Sequence, residues 1–310
     1  FLVVFLGCFP LSVFAIPAFF KRYEREELDT RSWMLILFWV VMILFTLVQT
    51  KIVHYSSLAY LPLSFLAAMY LSNSSFRIPY VRSYANWMFL IIGIVFGLAL
   101  TALPLAASQF KDLLIANMHD PFAEASFTND SIQWSGGEFL IGVTYLLLVL
   151  ISAWFFFKRF MIRGLFTICL STAICLMLYL YAVVPKIEGY TQRPAITFYE
   201  ELQGKDVYVT TLGYKSYAHY FYARIQPPTQ DEALTRFKQS LLKSFGKESY
   251  NGLSQENKAS FNNQVNEWFI NGDIDKPVYF TTKITYPDIL VDGVEQLEIN
   301  GGFKFYRRMP

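Results

Sequence analysis

Six apolar stretches crowd into the first 184 residues, running approximately from Phe1 to Phe20, Trp33 to Gln49, Ser57 to Leu71, Trp87 to Ala107, Phe139 to Phe157 and Leu165 to Val184. A helix rising 1.5 Å per residue needs about 20 apolar residues to cross a hydrocarbon core of about 30 Å. All six come close, the third being the shortest. Pro10, Pro17, Pro62 and Pro104 interrupt the runs, which a bundle tolerates because neighbouring helices and bound water satisfy the freed carbonyls. Composition agrees: 54% of the chain is hydrophobic and only 16% charged, well below the quarter of an average soluble domain. The expected fold is a polytopic α-helical membrane protein of about six transmembrane helices.

From Pro185 onward charged and polar residues return at ordinary density. This divides the chain into a transmembrane helical domain, 1–184, and a small soluble α/β domain, 185–310. Within the latter, Pro194 to Leu202, Tyr214 to Arg224, Glu232 to Ser244 and Gln255 to Ile270 suit helices. Asp206 to Thr211, Val278 to Ile284 and Phe303 to Arg307 suit strands. A net charge of +2 gives no reason to expect nucleic acid as a partner. Cys8, Cys169 and Cys175 all lie in apolar segments, which suggests buried thiols and no disulfide framework. No metal-ligand spacing or phosphate loop is seen, and the sequence identifies neither a cofactor nor whether a divalent metal is required. The opening at Phe1, directly into an apolar run, predicts that the chain is part of a longer protein.

Basic residues in short loops set the orientation, because they resist translocation. Lys21, Arg22, Arg25 and Arg31 follow the first stretch, Arg77 and Arg82 the third, and Lys158, Arg159 and Arg163 the fifth; the intervening loops hold only Lys51 and Lys111. The first, third and fifth loops are therefore expected in the cytoplasm and the soluble domain outside. In the long outer loop, Ser108 to Glu138, the spacing of Phe110, Leu113, Leu114 and Met118 suits either a short helix on the membrane surface or an ordinary loop. Asp112, Asp120, Glu124 and Asp130, with His119 beside Asp120, are the acidic residues nearest the outer face, most simply read as solvated loop carboxylates.

The polar cluster Thr50, Lys51, Ile52, Val53, His54, Tyr55, Ser56, Ser57 sits at the outer end of the second stretch. On a helical turn Lys51 and Tyr55 share a face and present an ammonium and a phenol to one ligand, a pairing that suits a lipid phosphate. The same residues equally suit interfacial anchors, the lysine snorkelling and the tyrosine resting at headgroup level. His54 suits a structural role.

The run Phe45-Thr-Leu-Val-Gln-Thr-Lys-Ile-Val-His-Tyr-Ser-Ser-Leu-Ala-Tyr-Leu-Pro-Leu resembles a segment of bacterial glycosyltransferases of the aminoarabinose transferase and protein O-mannosyltransferase group. Gly7-Cys8-Phe9-Pro10 resembles their preceding helix, and Arg193-Pro194 with Tyr208 to Tyr222 their extracytoplasmic domain. The resemblance implies the C-terminal portion of a GT-C-type bundle in the inner (plasma) membrane. Its activity would be inverting transfer of a sugar from a polyprenyl-phosphate donor to an extracytoplasmic lipid, glycan or protein, with membrane lipids as surroundings. It places Lys51 and Tyr55, with His54 as a neighbour, at the donor's lipid phosphate. Gln49 stands where the family often has a second lysine. The family's acidic catalytic base lies in its first extracytoplasmic loop, expected upstream of Phe1, so no catalytic residue is assigned. The competing class is a transporter or flippase for a lipid-linked or amphipathic substrate. Against an ion-coupled transporter stands the near absence of Asp, Glu, Lys and Arg from the apolar cores. Tyr214, Tyr217, Tyr220, Phe221 and Tyr222 suit either the soluble domain's core or stacking on sugar rings.

Overall fold

The computed structural model describes residues 1–20, 25–48, 53–72, 79–129, 132–226, 229 and 232–310. Its contacts divide the chain into two compact units, Phe1–Leu105 with Gly136–Tyr181, and Ala106–Ser135 with Ala182–Pro310.

The first unit is helical. In chain order it contains α1 (Leu2–Gly7), α2 (Leu11–Phe20), α3 (Arg25–Leu47), a 3-10 helix (Val53–Ala59), α4 (Tyr60–Ser72), most of α5 (Pro79–Gln109), α8 (Phe139–Phe157) and most of α9 (Met161–Ala182). Among the described residues four helical spans are long and apolar enough to cross a membrane: Thr30–Leu47, Ser83–Gln109, Phe139–Phe157 and Met161–Thr191. That is fewer than the six apolar stretches. The first stretch is broken at Cys8–Pro10 into two short helices, where proline lacks the N–H a continuous helix needs. Of the third, only 13 residues are α-helical, about 20 Å at 1.5 Å per residue.

Apolar side chains turn outward from the four long spans. Ile91, Val95 and Leu98 of α5 are each more than half exposed, as are Ile162, Phe166 and Met177 of α9. Helical stripes of this kind are untenable in water and ordinary against lipid acyl chains. Inside, Phe9, Phe14, Phe89 and Phe156 form an aromatic cluster with ring centroids 5.0–5.7 Å apart for the pairs Phe9–Phe89, Phe14–Phe156 and Phe89–Phe156. Arg31 closes the end of α2, donating from Nε to the Ala18 carbonyl at 2.8 Å and from Nη2 to that of Phe19 at 2.6 Å, so two terminal carbonyls that the helix cannot satisfy are paired. Gly93 and Gly97 on α5 lie against Val149 and Leu146 of α8, and Gly142 of α8 lies against the backbone of Thr101. This small-xxx-small spacing lets two helices approach closely where lipid offers no hydrophobic drive for association.

The second unit is a mixed α/β layer structure. Its helices are α6 (Lys111–Ala116), α7 (Pro121–Phe127), α10 (Val184–Thr191), α11 (Arg193–Glu200), α12 (Ala218–Tyr222), α13 (Ala233–Ser244) and α14 (Gln255–Asn271). The strands β1 (Tyr208–Thr211), β2 (Val278–Lys283), β3 (Val294–Asn300) and β4 (Phe303–Arg308) form one sheet in the order β1-β2-β4-β3, with β1 parallel to β2 and the other pairs antiparallel. Period-two alternation gives each face its own core. Tyr208, Phe280 and Tyr306 pack with α13 and α14 through Leu241, Phe261 and Trp268; Phe280 and Tyr306 are cross-strand partners stacked at 5.3 Å. Val209, Phe303 and Phe305 pack with Phe198, Tyr199 and Ala223 on the opposite face.

Ala106–Ser135, which overlaps the outer loop expected from Ser108 to Glu138, belongs to this second unit. Phe122 meets Phe303 edge-on at 5.2 Å, and Phe127 stacks on Tyr190 at 4.5 Å. Ser126 Oγ donates to the Gly301 carbonyl at 3.1 Å, and Asn129 Nδ2 to Asn300 Oδ1 at 3.0 Å. Gly301 and Gly302 make the β3–β4 turn at φ of 52° and 81°, left-handed backbone that admits glycine, and a Cβ on either would strike Pro194 or Phe122.

Candidate functional site

The segment singled out by sequence lies between α3 and α4. Lys51 and the side chain of His54 lie outside the described residues; the backbone of His54 falls in the 3-10 helix. Tyr55 is described. Its ring stacks on Phe45, near the end of α3, with centroids 5.5 Å apart, and the residue remains 44% exposed. An apolar support beneath an exposed phenol fixes the ring while leaving its polar end available, the usual division of a tyrosine at an apolar–polar boundary. The 3-10 helix that carries Tyr55 packs against α1, α3 and α4 and continues without interruption into α4 at Tyr60.

The other short motif of the helical region arrives at the same place. Gly7 abuts the hydroxyl of Tyr60, where any Cβ would collide, and Cys8 Sγ lies 3.9 Å from the Tyr60 carbonyl and 3.8 Å from Ser64 Oγ. The fold thus brings Gly7-Cys8 and the Phe45–Leu63 run, which are far apart in sequence, into contact.

The acidic residues of the 106–135 segment have local duties. Asp120 caps α7, accepting from the Phe122 N–H at 3.0 Å, with Pro121 at the first helical position. His119 Nδ1 lies 2.9 Å from the Asn117 carbonyl. Asp112 and Glu124 occupy first turns of α6 and α7, where carboxylates complement the helix dipole, and Asp130 lies outside the described residues. Phe110 and Leu113 are exposed around α6.

The tyrosine-rich stretch of the second unit divides between core and surface. Tyr199 and Tyr214 each place a hydroxyl 2.7 Å from Thr281 Oγ1 and lie 3.2 Å from one another. Burial, then the neighbouring Tyr214, raises the Tyr199 phenol well above the ordinary tyrosine range, so this trio is neutral and structural. Tyr217, Tyr220 and Phe221 are more than half exposed. His219 between them is buried, its Nδ1 has no hydrogen-bond partner among the described residues, and burial lowers its pKa to about 4. Lys238 was not singled out by sequence, since on α13 it reads as one more polar residue; desolvation beside β1 lowers its ammonium from the usual lysine range.

No family model, curated protein or solved structure matches this chain.

Proposed function

We propose that the protein is a membrane glycosyltransferase that moves a sugar from a polyprenyl-phosphate donor to an extracytoplasmic acceptor, with Lys51 and Tyr55 at the lipid phosphate. The observation that carries this reading is Tyr55, an exposed phenol braced on Phe45 at the end of an apolar helix and four residues from a lysine. Phosphate at a membrane surface needs a cation to offset its charge and neutral donors to orient it. In such a reaction a base deprotonates the acceptor hydroxyl as it attacks the anomeric carbon, and Lys51 and Tyr55 stabilise the departing lipid phosphate. One displacement inverts the sugar.

Loop charge and helix length also support a crossing by the third apolar stretch beside the four long spans. Basic residues precede both α3 and the apolar part of α5, so both run outward, and a return crossing has to lie between them. The 7-residue 3-10 helix and the 13-residue α4 follow one another directly, and laid end to end they would reach about 33 Å, at rises of about 2.0 and 1.5 Å per residue. A reach of that size suffices to cross, which supports a position for Tyr55 near the outer surface.

Transfer of radiolabelled sugar from polyprenyl phosphates by membranes containing the protein tests the reading. Lys51→Ala should lower transfer about a hundred-fold and Tyr55→Phe about ten-fold at unchanged protein level. Absence of transfer from a panel of donors would move the transporter reading to the front.

A further inference from the structure

β1 is the first strand in the sheet order, so among the described residues one of its edges has no strand beside it. On the paired side the N–H groups of Tyr208 and Leu212 donate to the carbonyls of Pro277 and Thr281, both at 2.9 Å. Residues of a parallel strand alternate in which side they bond, so the N–H and C=O groups of Val209 and Thr211 point away from β2, toward the free edge.

Val209 lies on the floor of a cleft of about 1090 Å³, lined without a break from Gln203 to Thr210, and Thr211 continues the strand edge just beyond that lining. Its walls come from the two helical layers: Ala223 and Arg224 after α12 on one side, and Lys238 of α13 with Phe261 and Asn262 of α14 on the other. The volume reaches the top of the range of about 300–1,000 Å³ usual for small-molecule sites. Among the described residues four cations line it, Lys205, Arg224, Lys238 and Lys276, against two carboxylates, Asp206 and Glu232. Both carboxylates are taken up by Lys276, at 2.8 and 3.2 Å. Lys205, Arg224 and Lys238 make no ion pair among the described residues. Burial disfavours the charge of Lys238, so an incoming anion would relieve it. Arg224 holds φ at 51°, a left-handed position at a helix end that glycine fills at lower cost.

We propose that this cleft receives an extended acidic peptide of a partner protein, which pairs with Val209 and Thr211 as a fifth strand and sets its carboxylates against Lys238 and Arg224. Backbone pairing accounts for the free edge between two helical walls, and the charge excess selects the sign of the ligand. The proposal stands independently of glycosyl transfer.

The test uses the whole protein in detergent micelles and a fluorescein-labelled decapeptide of alternating threonine and glutamate, read by anisotropy. Two further probes carry backbone N-methyl groups on every threonine or on every glutamate. Strand addition uses the N–H groups of one alternate set, so one N-methylated probe should bind as the parent does and the other at least about ten-fold more weakly. Lysine in place of glutamate in the probe, or Lys238→Met in the protein, should each cost about ten-fold in affinity. Amide exchange at Val209 and Thr211 should slow on binding. Equal binding of both N-methylated probes, or no binding up to about 1 mM, overturns the proposal. So does displacement of the peptide by chitotetraose or inorganic phosphate as effectively as by unlabelled peptide, which would make the cleft a saccharide or anion site.

Discussion

The two units of this chain hold themselves together by opposite means. In the first, apolar side chains face outward and specificity resides in closeness, with glycines on α5 and α8 admitting the neighbouring helix and Ser152 Oγ donating to the Gly164 carbonyl at 2.6 Å. In the second, apolar residues go inward on both faces of a sheet, and some polar groups buried with them are paired, as in the Tyr199–Tyr214–Thr281 trio, while His219 Nδ1 has no partner among the described residues. The difference is one of solvent. Lipid is as apolar as leucine, so helices gain from shape and dispersion, whereas water drives apolar area inward and penalises each polar group that follows without a partner.

Substitutions that attack one means at a time should separate the units. Gly142→Leu drives a side chain into the Thr101 backbone, which cannot give way; we expect a loss of more than about 3 kcal/mol, seen as aggregation or a lowered Tm of purified protein in detergent. Acidification should act on the second unit through His219. Its folded pKa of about 4 lies below the ordinary 6.5, so the unfolded chain binds the extra proton between those values. Stability is complete above about pH 6.5 and falls by about 3 kcal/mol as pH approaches 4. His219→Phe should flatten that slope in denaturant titrations. Thr281→Val leaves two buried phenols without their shared partner and should cost about 2 kcal/mol by the same measurement. The smallest effect has the opposite sign. Arg224→Gly relieves a left-handed arginine and should stabilise the second unit by about 1 kcal/mol, while weakening peptide capture at the β1 cleft.

Local pattern was readable where one periodicity rules a whole element. The long apolar runs became α3, α5, α8 and α9, and β2, β4, α13 and α14 lie within a residue or two of their expected bounds. β3 escaped notice because, at the far edge of the sheet, Glu295 to Asn300 are exposed and show no apolar alternation. The breaks inside the apolar stretches, at Cys8–Pro10 and at the 3-10 turn before Tyr60, were not legible because hydropathy does not register them. At the candidate site, sequence pointed to Tyr55 but not to its brace on Phe45, ten residues away. The β1 cleft was invisible to sequence. Lys238, Arg224 and Val209 come from three elements and acquire meaning only when the sheet edge and both helical layers meet.

The clasp between Ser126 and Gly301 joins residues 175 positions apart. A ribosome adding about 5–20 residues per second takes roughly ten to forty seconds to travel that distance. For that interval Phe122 and Ser126 are already made while the β3–β4 turn that covers them does not exist. Completion of the second unit therefore waits on synthesis of the β3–β4 turn, however early the 106–135 segment is made. Chains arrested before Gly301 should be cut near Phe122 by added protease, and chains arrested well after Arg308 should resist it.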